Sequence, residues 1–253
     1  MGNSQLRLKT GTPQRDVADH IERVVPVQSP SPSAKRPLTY DRPMAIVGGG
    51  TVDHDLLRDL AAHGVVLVGA DGGGDAIAAA GLLPDAIVGD LDSLSDPQSW
   101  AGRTTLLRIE EQETTDFQKA LYSTSAPVTL ALGMTGKRLD HTLAALSAVL
   151  DVARERAVLL VDEVDVALAV SGAFQFDAAA GERVSVHPLL PIRFLISRGL
   201  VYPLDDLLLE PGGRLGTSNA ATGGRVAIMP VDDTPWLLIL GRERLWDLVE
   251  GLG

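Results

Sequence analysis

Gly89-Asp90-Leu91-Asp92-Ser93 follows the apolar run Ala86-Ile87-Val88 and sets two carboxylates on alternate residues. On a continued strand alternate side chains share a face, so Asp90 and Asp92 are expected on one side. Like charges held that close repel in a medium of low dielectric and raise a pKa unless a cation lies between them or water reaches both. A divalent cation is the economical resolution. With no Cys in the chain and no His nearby, oxygen ligands favour Mg2+ or Mn2+ over zinc, and such an ion commonly carries substrate phosphates. The implied chemistry is phosphate handling; the competing reading is a solvated turn in which an Asp bonds its own backbone.

Other segments place polar groups at matching positions. Gly48-Gly49-Gly50 follows the first apolar run and precedes a helical stretch; it is either a tight strand-to-helix turn or a phosphate cradle of free N–H groups. Asp71-Gly72-Gly73-Gly74 repeats the arrangement with a carboxylate added, whose alternative role is to cap the next helix. In Glu110-Glu111-Gln112-Glu113-Thr114-Thr115-Asp116, Thr114 or Thr115 is placed to cap a helix and Asp116 falls in its first turn. Gly133-Met134-Thr135-Gly136-Lys137-Arg138-Leu139-Asp140-His141 combines flexible backbone with two cations, as a polyphosphate requires. His141 is read as a capping or packing group. Tyr202 and Gly216-Thr217-Ser218-Asn219 read, on residue types alone, as an aromatic strand position and a polar turn.

The elements that must carry these segments are legible as alternation. Short apolar runs at 44–47, 65–70, 86–88, 105–109, 128–132 and 158–161 suit buried parallel strands. Helix-compatible spacing at 55–63, 75–80, 115–122 and 139–156 lies between them. The expected fold is therefore α/β: a doubly wound, mostly parallel sheet, with function at the carboxyl ends of its strands. Beyond residue 165, segments at 173–176, 183–187, 193–197, 225–229 and 236–240 broken by Gly, Pro and Asp suit a smaller antiparallel β-sandwich, and 242–250 a short terminal helix. The division expected is 1–42 as a flexible extension rich in Pro and Ser, 43–163 as the α/β catalytic domain, and 164–253 as the sandwich.

Composition narrows the partners. A net charge of −11 disfavours a broad nucleic-acid surface. No apolar run approaches the roughly 20 residues needed to span a bilayer, no membrane partner is expected, and the amino terminus lacks the apolar block of a secretory signal. Zero Cys excludes disulfides, thiolate zinc sites and cysteine nucleophiles, and a cytoplasmic address is expected.

Ala70-Asp71-Gly72-Gly73, Pro84-Asp85-Ala86-Ile87-Val88-Gly89-Asp90-Leu91-Asp92-Ser93, Gln112-Glu113-Thr114-Thr115-Asp116-Phe117 and Gly133-Met134-Thr135-Gly136-Lys137-Arg138-Leu139-Asp140-His141, in that order, resemble the thiamine pyrophosphokinase (thiamine diphosphokinase) family. The resemblance runs from about residue 44 to about residue 240. It implies an α/β domain with a β-sandwich, a homodimer, and transfer of pyrophosphate from ATP to the hydroxyethyl oxygen of thiamine, giving thiamine diphosphate and AMP. It makes Asp90, Asp92 and Asp116 the Mg2+ carboxylates. Asp71, Gln112, Thr115, Arg138 and Asp140 become ATP neighbours, and Tyr202, Ser218 and Asn219 thiamine neighbours. Catalytic roles fall to Asp71, Asp92 and Arg138: the arginine, with Lys137, stabilises charge as AMP leaves, and either Asp71 or Asp92 accepts the alcohol proton.

Two departures from the family pattern stand out. Tyr202 takes the place of a usual Trp, and Glu111-Gln112-Glu113 that of Asp-Gln-Asp, so neither Glu is assigned as a direct metal ligand. The alternatives are a pyrophosphokinase for a pterin or other heterocyclic alcohol and a non-catalytic Mg-nucleotide-binding module. An NAD-dependent oxidoreductase is disfavoured because no GxGxxG follows the first strand.

Overall fold

The computed structural model describes residues 38–100 and 102–253. Most of the expected extension, residues 1–37, lies outside them. The described chain opens with β1 (Leu38–Thr39), parallel to residues Thr124–Ser125, and Tyr40 N–H donates to Ser125 O at 2.8 Å. Regular pairing thus begins ahead of residue 43.

The parallel half follows in alternation: β2 (Met44–Val47), α1 (His54–Ala62), β3 (Val66–Ala70), α2 (Gly73–Ala79), β4 (Ala86–Gly89), β5 (Thr105–Arg108), α3 (Asp116–Ser123), β6 (Thr124–Ser125), β7 (Val128–Leu132), α4 (Leu139–Val152) and β8 (Ala157–Val161). Then come β9 (Asp165–Val170), β10 (Phe174–Ala178), β11 (Arg183–Pro188), β12 (Ile192–Arg198), β13 (Leu207–Leu209), β14 (Gly216–Ala220), β15 (Gly224–Pro230), β16 (Trp236–Gly241) and α5 (Leu245–Leu252). No helix among the described residues is long and apolar enough to cross a membrane.

One ten-stranded sheet runs β14-β11-β16-β9-β8-β7-β2-β3-β4-β5. From β8 to β5 all neighbours are parallel. Side-chain alternation explains why these strands are apolar throughout: Met44 and Ile46 pack among Phe117, Ala120 and Val149 of α3 and α4, while Ala45 and Val47 pack among Leu57, Leu60 and Ile77 of α1 and α2. Helices cover both faces, as a doubly wound sheet requires. On the α1/α2 face the helices approach so closely that a Cβ on Gly73 would stand 1.7 Å from Val47 O, and only glycine fits there.

The antiparallel strands β9, β16, β11 and β14 continue the same sheet, and a four-stranded sheet, β10-β15-β12-β13, packs over them. Phe194 meets Trp236 edge-on at 5.6 Å between ring centroids, an arrangement that aromatic quadrupoles favour. The expected boundary near residue 164 falls between β8 and β9, which are hydrogen-bonded neighbours. β9, β13 and β14 were not expected as strands. β14 reads as a polar turn because, as the edge of the sheet, it exposes Thr217 and Ser218, and its buried side chain, Asn219, is itself polar.

The chain runs β2 to β5 in one direction and returns to β7 and β8 on the other side of β2. The resulting switch point, between the carboxyl ends of β2 and β7, is where loops diverge and a crevice opens. Buried Arg156 sets the position of α3 beside it. Its Nη1 donates to Leu121 O at 2.8 Å and Thr124 O at 3.0 Å, and its Nη2 to Thr129 Oγ1. The guanidinium thereby satisfies carbonyls that the end of α3 leaves without helical partners. Arg156→Met should lower stability by about 3 kcal/mol, since it strands buried acceptors. Urea denaturation measures this, and a loss below about 1 kcal/mol would show that water replaces the guanidinium there.

Candidate active site

The crevice is lined by the loops after β2 and β7. Gly48 N–H donates to Leu132 O at 2.8 Å and Gly50 N–H to Gly133 O at 2.9 Å, which ties the loops together, and Lys137 Nζ donates to Gly49 O at 3.0 Å. They border a cavity of about 260 Å³ that also meets Asp71, Ser93, Thr115, Asp116 and Arg138. Arg138 is exposed and is held in a two-point ion pair with Asp140, Nε to Oδ1 at 3.1 Å and Nη2 to Oδ2 at 2.6 Å. That pairing raises the pKa of Arg138 and lowers that of Asp140. His141 lines the cavity, and its backbone N–H donates to Asp140 Oδ1 at 2.9 Å.

The acidic groups arrive from the ends of the neighbouring strands. β4 stops at Gly89, and Leu91 adopts φ +67°, so Asp90 and Asp92 sit in a bend and not on a continued strand as their spacing suggested. The bend nevertheless converges them. Among the described residues, Asp71, Asp90 and Asp92 form a group whose carboxylate oxygens lie within 4.8 Å of one another. Asp71, at the end of β3, is buried with φ +46°, a conformation Asp tolerates better than most residues. Its Oδ2 accepts from Ser93 N–H at 3.1 Å, while Oδ1 is buried without a hydrogen-bond partner among the described residues. Burial pushes the Asp71 pKa up; the Ser93 hydrogen bond opposes this, and the charges of Asp116 and Asp90 add to it. Gly89 lets these groups meet, because a Cβ there would lie 2.9 Å from Asp71 Cβ and 3.1 Å from Asp116 Oδ1.

Asp116, expected to share an ion with Asp90 and Asp92, stands beside this trio. Its Oδ1 accepts from Lys119 Nζ at 3.1 Å, and the same ammonium lies 3.7 Å from Asp90 Oδ2. Lys119 is only 2% exposed. Desolvation works against its charge, but the hydrogen bond and charge of Asp116 with the charge of Asp90 outweigh it and raise its pKa. Gln112 Nε2 donates to Asp90 Oδ2 at 3.0 Å, and this hydrogen bond is the largest influence holding the Asp90 pKa low. Thr115 caps α3 through a reciprocal exchange with Gln118 and also lines the cavity. Sequence reasoning missed Lys119. The available signal was a lysine between Phe117, Ala120 and Leu121, on the face of α3 that must be buried.

Tyr202, Ser218 and Asn219 come together elsewhere. Asn219 is buried, its Oδ1 accepting from Tyr202 N–H at 3.0 Å and its Nδ2 donating to Tyr202 O at 2.6 Å. Ser218 is exposed at φ +58°, its N–H donating to Ser185 Oγ at 3.0 Å. Tyr202 is 65% exposed. None of the three lines the carboxylate cavity of its own chain.

An all-oxygen trio with an orphaned buried oxygen fits a hard divalent cation. The cavity beside it, framed by two glycine loops and two cations, fits a polyphosphate. Residues 57–161 match the family described as thiamin pyrophosphokinase, catalytic domain. Thiamin pyrophosphokinase 1 of Caenorhabditis elegans is 28% identical over 158 residues, 56% of this chain and 65% of that protein; the match thus spans just under two thirds of the worm protein's length. The crystal structure of thiamin pyrophosphokinase from Geobacillus thermodenitrificans has a TM-score of 0.67 at 25% identity, over 79% of this chain and 97% of that one. The yeast thiamin pyrophosphokinase structure shares the fold, with a TM-score of 0.68 at 18% identity over 84% of this chain and 90% of that one. Motifs, site geometry and sheet topology thus agree in their likeness: residues 57–161 match the thiamin pyrophosphokinase catalytic domain, and the chain is similar to thiamin pyrophosphokinases in sequence and fold.

Proposed function

We propose that this protein is a thiamine diphosphokinase, moving the terminal pyrophosphoryl group of ATP to the hydroxyethyl oxygen of thiamine and releasing AMP. The observation that carries this reading is the convergence of Asp71, Asp90 and Asp92 within 4.8 Å beside a cavity bordered by two glycine loops, Lys137 and Arg138. Asp90, Asp92 and the unpartnered Oδ1 of Asp71 would hold Mg2+, with Asp116 next to them. The ion supplies charge neutralisation on the phosphates of ATP.

The remaining roles fall to the chain itself. The Gly48–Gly50 and Gly133–Gly136 loops, tied together by their backbone hydrogen bonds, leave room for the phosphates to approach, and Lys137 and Arg138 stabilise charge as AMP leaves. Asp140 holds the Arg138 guanidinium in orientation. Ser93 donates to both Asp71 Oδ2 and Asp92 Oδ1; Asp71 is buried and Asp92 open to solvent, so Asp92 takes the alcohol proton. The loose transition state of phosphoryl transfer asks little of that base.

Thiamine would meet the Tyr202 ring and Ser218, with Asn219 fixing the Tyr202 backbone. Since these residues stand away from the cavity of their own chain, the proposal includes a homodimer in which a second copy completes the site. A cytoplasmic address accompanies it, in keeping with the absence of Cys and a reaction that consumes ATP.

An AMP-release assay with thiamine, a pterin alcohol or no acceptor tests the reading. AMP formed only with thiamine, together with thiamine diphosphate, is the expected result; thiamine-independent release or none sinks it. Asp92→Asn should leave the folded spectrum intact and lower turnover at least about a thousandfold, a size typical of losing a group that stabilises transition-state charge. Near-normal turnover in that variant removes Asp92 from the mechanism. Lys119→Met should cost about 3 kcal/mol of stability without divalent ions, because it leaves clustered acids uncompensated. Added MgCl2 should restore part of that loss in thermal melts, by binding only the folded state. Sedimentation velocity should report a dimer.

A further inference from the structure

The acidic turn before α3 carries Glu where the family pattern has Asp, and the structure shows what the longer side chain reaches. Half-buried Glu111 spends both oxygens on the protein. Oε2 accepts from Glu113 N–H at 2.7 Å and Thr114 N–H at 3.0 Å, while Oε1 accepts from Thr114 Oγ1 and from Tyr122 O–H at 3.1 Å. Tyr122 lies two turns along α3, and burial together with Glu111 raises its pKa to about 12. The phenol therefore stays a donor throughout the physiological range. Between these anchored residues stands Gln112, exposed, with its amide on Asp90 Oδ2.

We propose that Glu111 and Tyr122 are positioning residues: braced against α3 by the tyrosine, the Glu111 carboxylate closes the turn that holds the Gln112 amide against Asp90, and so keeps Asp90 aimed for the Mg–ATP complex. This rests on the thiamine diphosphokinase reading above. Neither residue touches substrate. A carboxylate one methylene shorter keeps the charge and can still close the local turn, but falls short of the phenol. Glu at this position and Tyr at 122 thus form a matched pair.

The test is a double-mutant cycle on the full chain. Tyr122→Phe should raise KM for MgATP at least about tenfold, the order expected for losing a hydrogen bond to a charged acceptor, with kcat within about twofold. Glu111→Asp should reproduce it. In a Gln112→Ala background neither substitution should add a further effect, because the pair acts through that amide. Calorimetric binding of the magnesium complex of α,β-methylene-ATP should weaken in parallel, giving a readout that does not depend on turnover.

Additive effects in the cycle, or a fall in melting temperature with KM unchanged, would mean that the pair only stabilises the turn, and would overturn the proposal. So would Glu111→Asp behaving as wild type. If the wild-type protein neither binds the analogue nor forms thiamine diphosphate, it is the functional reading that fails.

Discussion

A desolvated ammonium group holds the acidic edge of this sheet together. Asp71, Asp90, Asp92 and Asp116 come from three different places at the strand ends, and like charges gathered in partly buried surroundings repel with little water to screen them. Lys119, delivered from the buried face of α3, contacts Asp90 and Asp116 at once. Its own burial is unfavourable for a charge and is tolerated because two carboxylates face it. Asp71 Oδ1 has no such partner among the described residues, and burial, with the charges of Asp116 and Asp90, holds its pKa up. The site is thus balanced on one side and charge-hungry on the other, which is the condition a divalent cation fits.

Placement of that cluster follows from strand order. Asp71 ends β3, Asp90 and Asp92 follow β4, and Asp116 opens α3 after β5, so three adjacent parallel strands deliver acids to one edge. The glycine loops with Lys137 and Arg138 follow β2 and β7, on either side of the switch point. Acids and cations therefore border the same crevice from different strands, and a polyphosphate lying across it meets both. Arg156 and the Thr115 cap fix the two ends of α3, which is why Lys119 arrives where it does.

The second half of the chain extends this platform. β9, β16, β11 and β14 hydrogen-bond onto the parallel strands, and the overlying four-stranded sheet buries Phe194 and Trp236 against them. The sandwich and the catalytic layer share one continuous sheet. Tyr202 is then displayed from a segment pinned by Asn219, whose polar atoms are satisfied by backbone.

Much of the fold was legible locally. Residues 44–47 and 128–132 were read as strands to the residue, because a strand buried on both faces must be apolar at every position. Thr114 or Thr115 ahead of Asp116 read as a helix start for a reason equally local, a side chain capping the N–H groups next to it, and Thr115 is the residue that does so. Edge strand β14 was not legible, since its exposed positions, Thr217 and Ser218, and its buried Asn219 are all polar and give no apolar signal. Nor was the bend at Leu91, where positive φ breaks the alternation that the Asp90 and Asp92 spacing implied. The sequence by itself determined the βα alternation, the caps and the inventory of acids at strand ends. Only the tertiary structure decided that Asp71 joins Asp90 and Asp92, that Asp116 turns to Lys119, and that Glu111 reaches Tyr122. Those choices depend on distances between elements far apart in the chain, and such distances are set by strand order and helix packing.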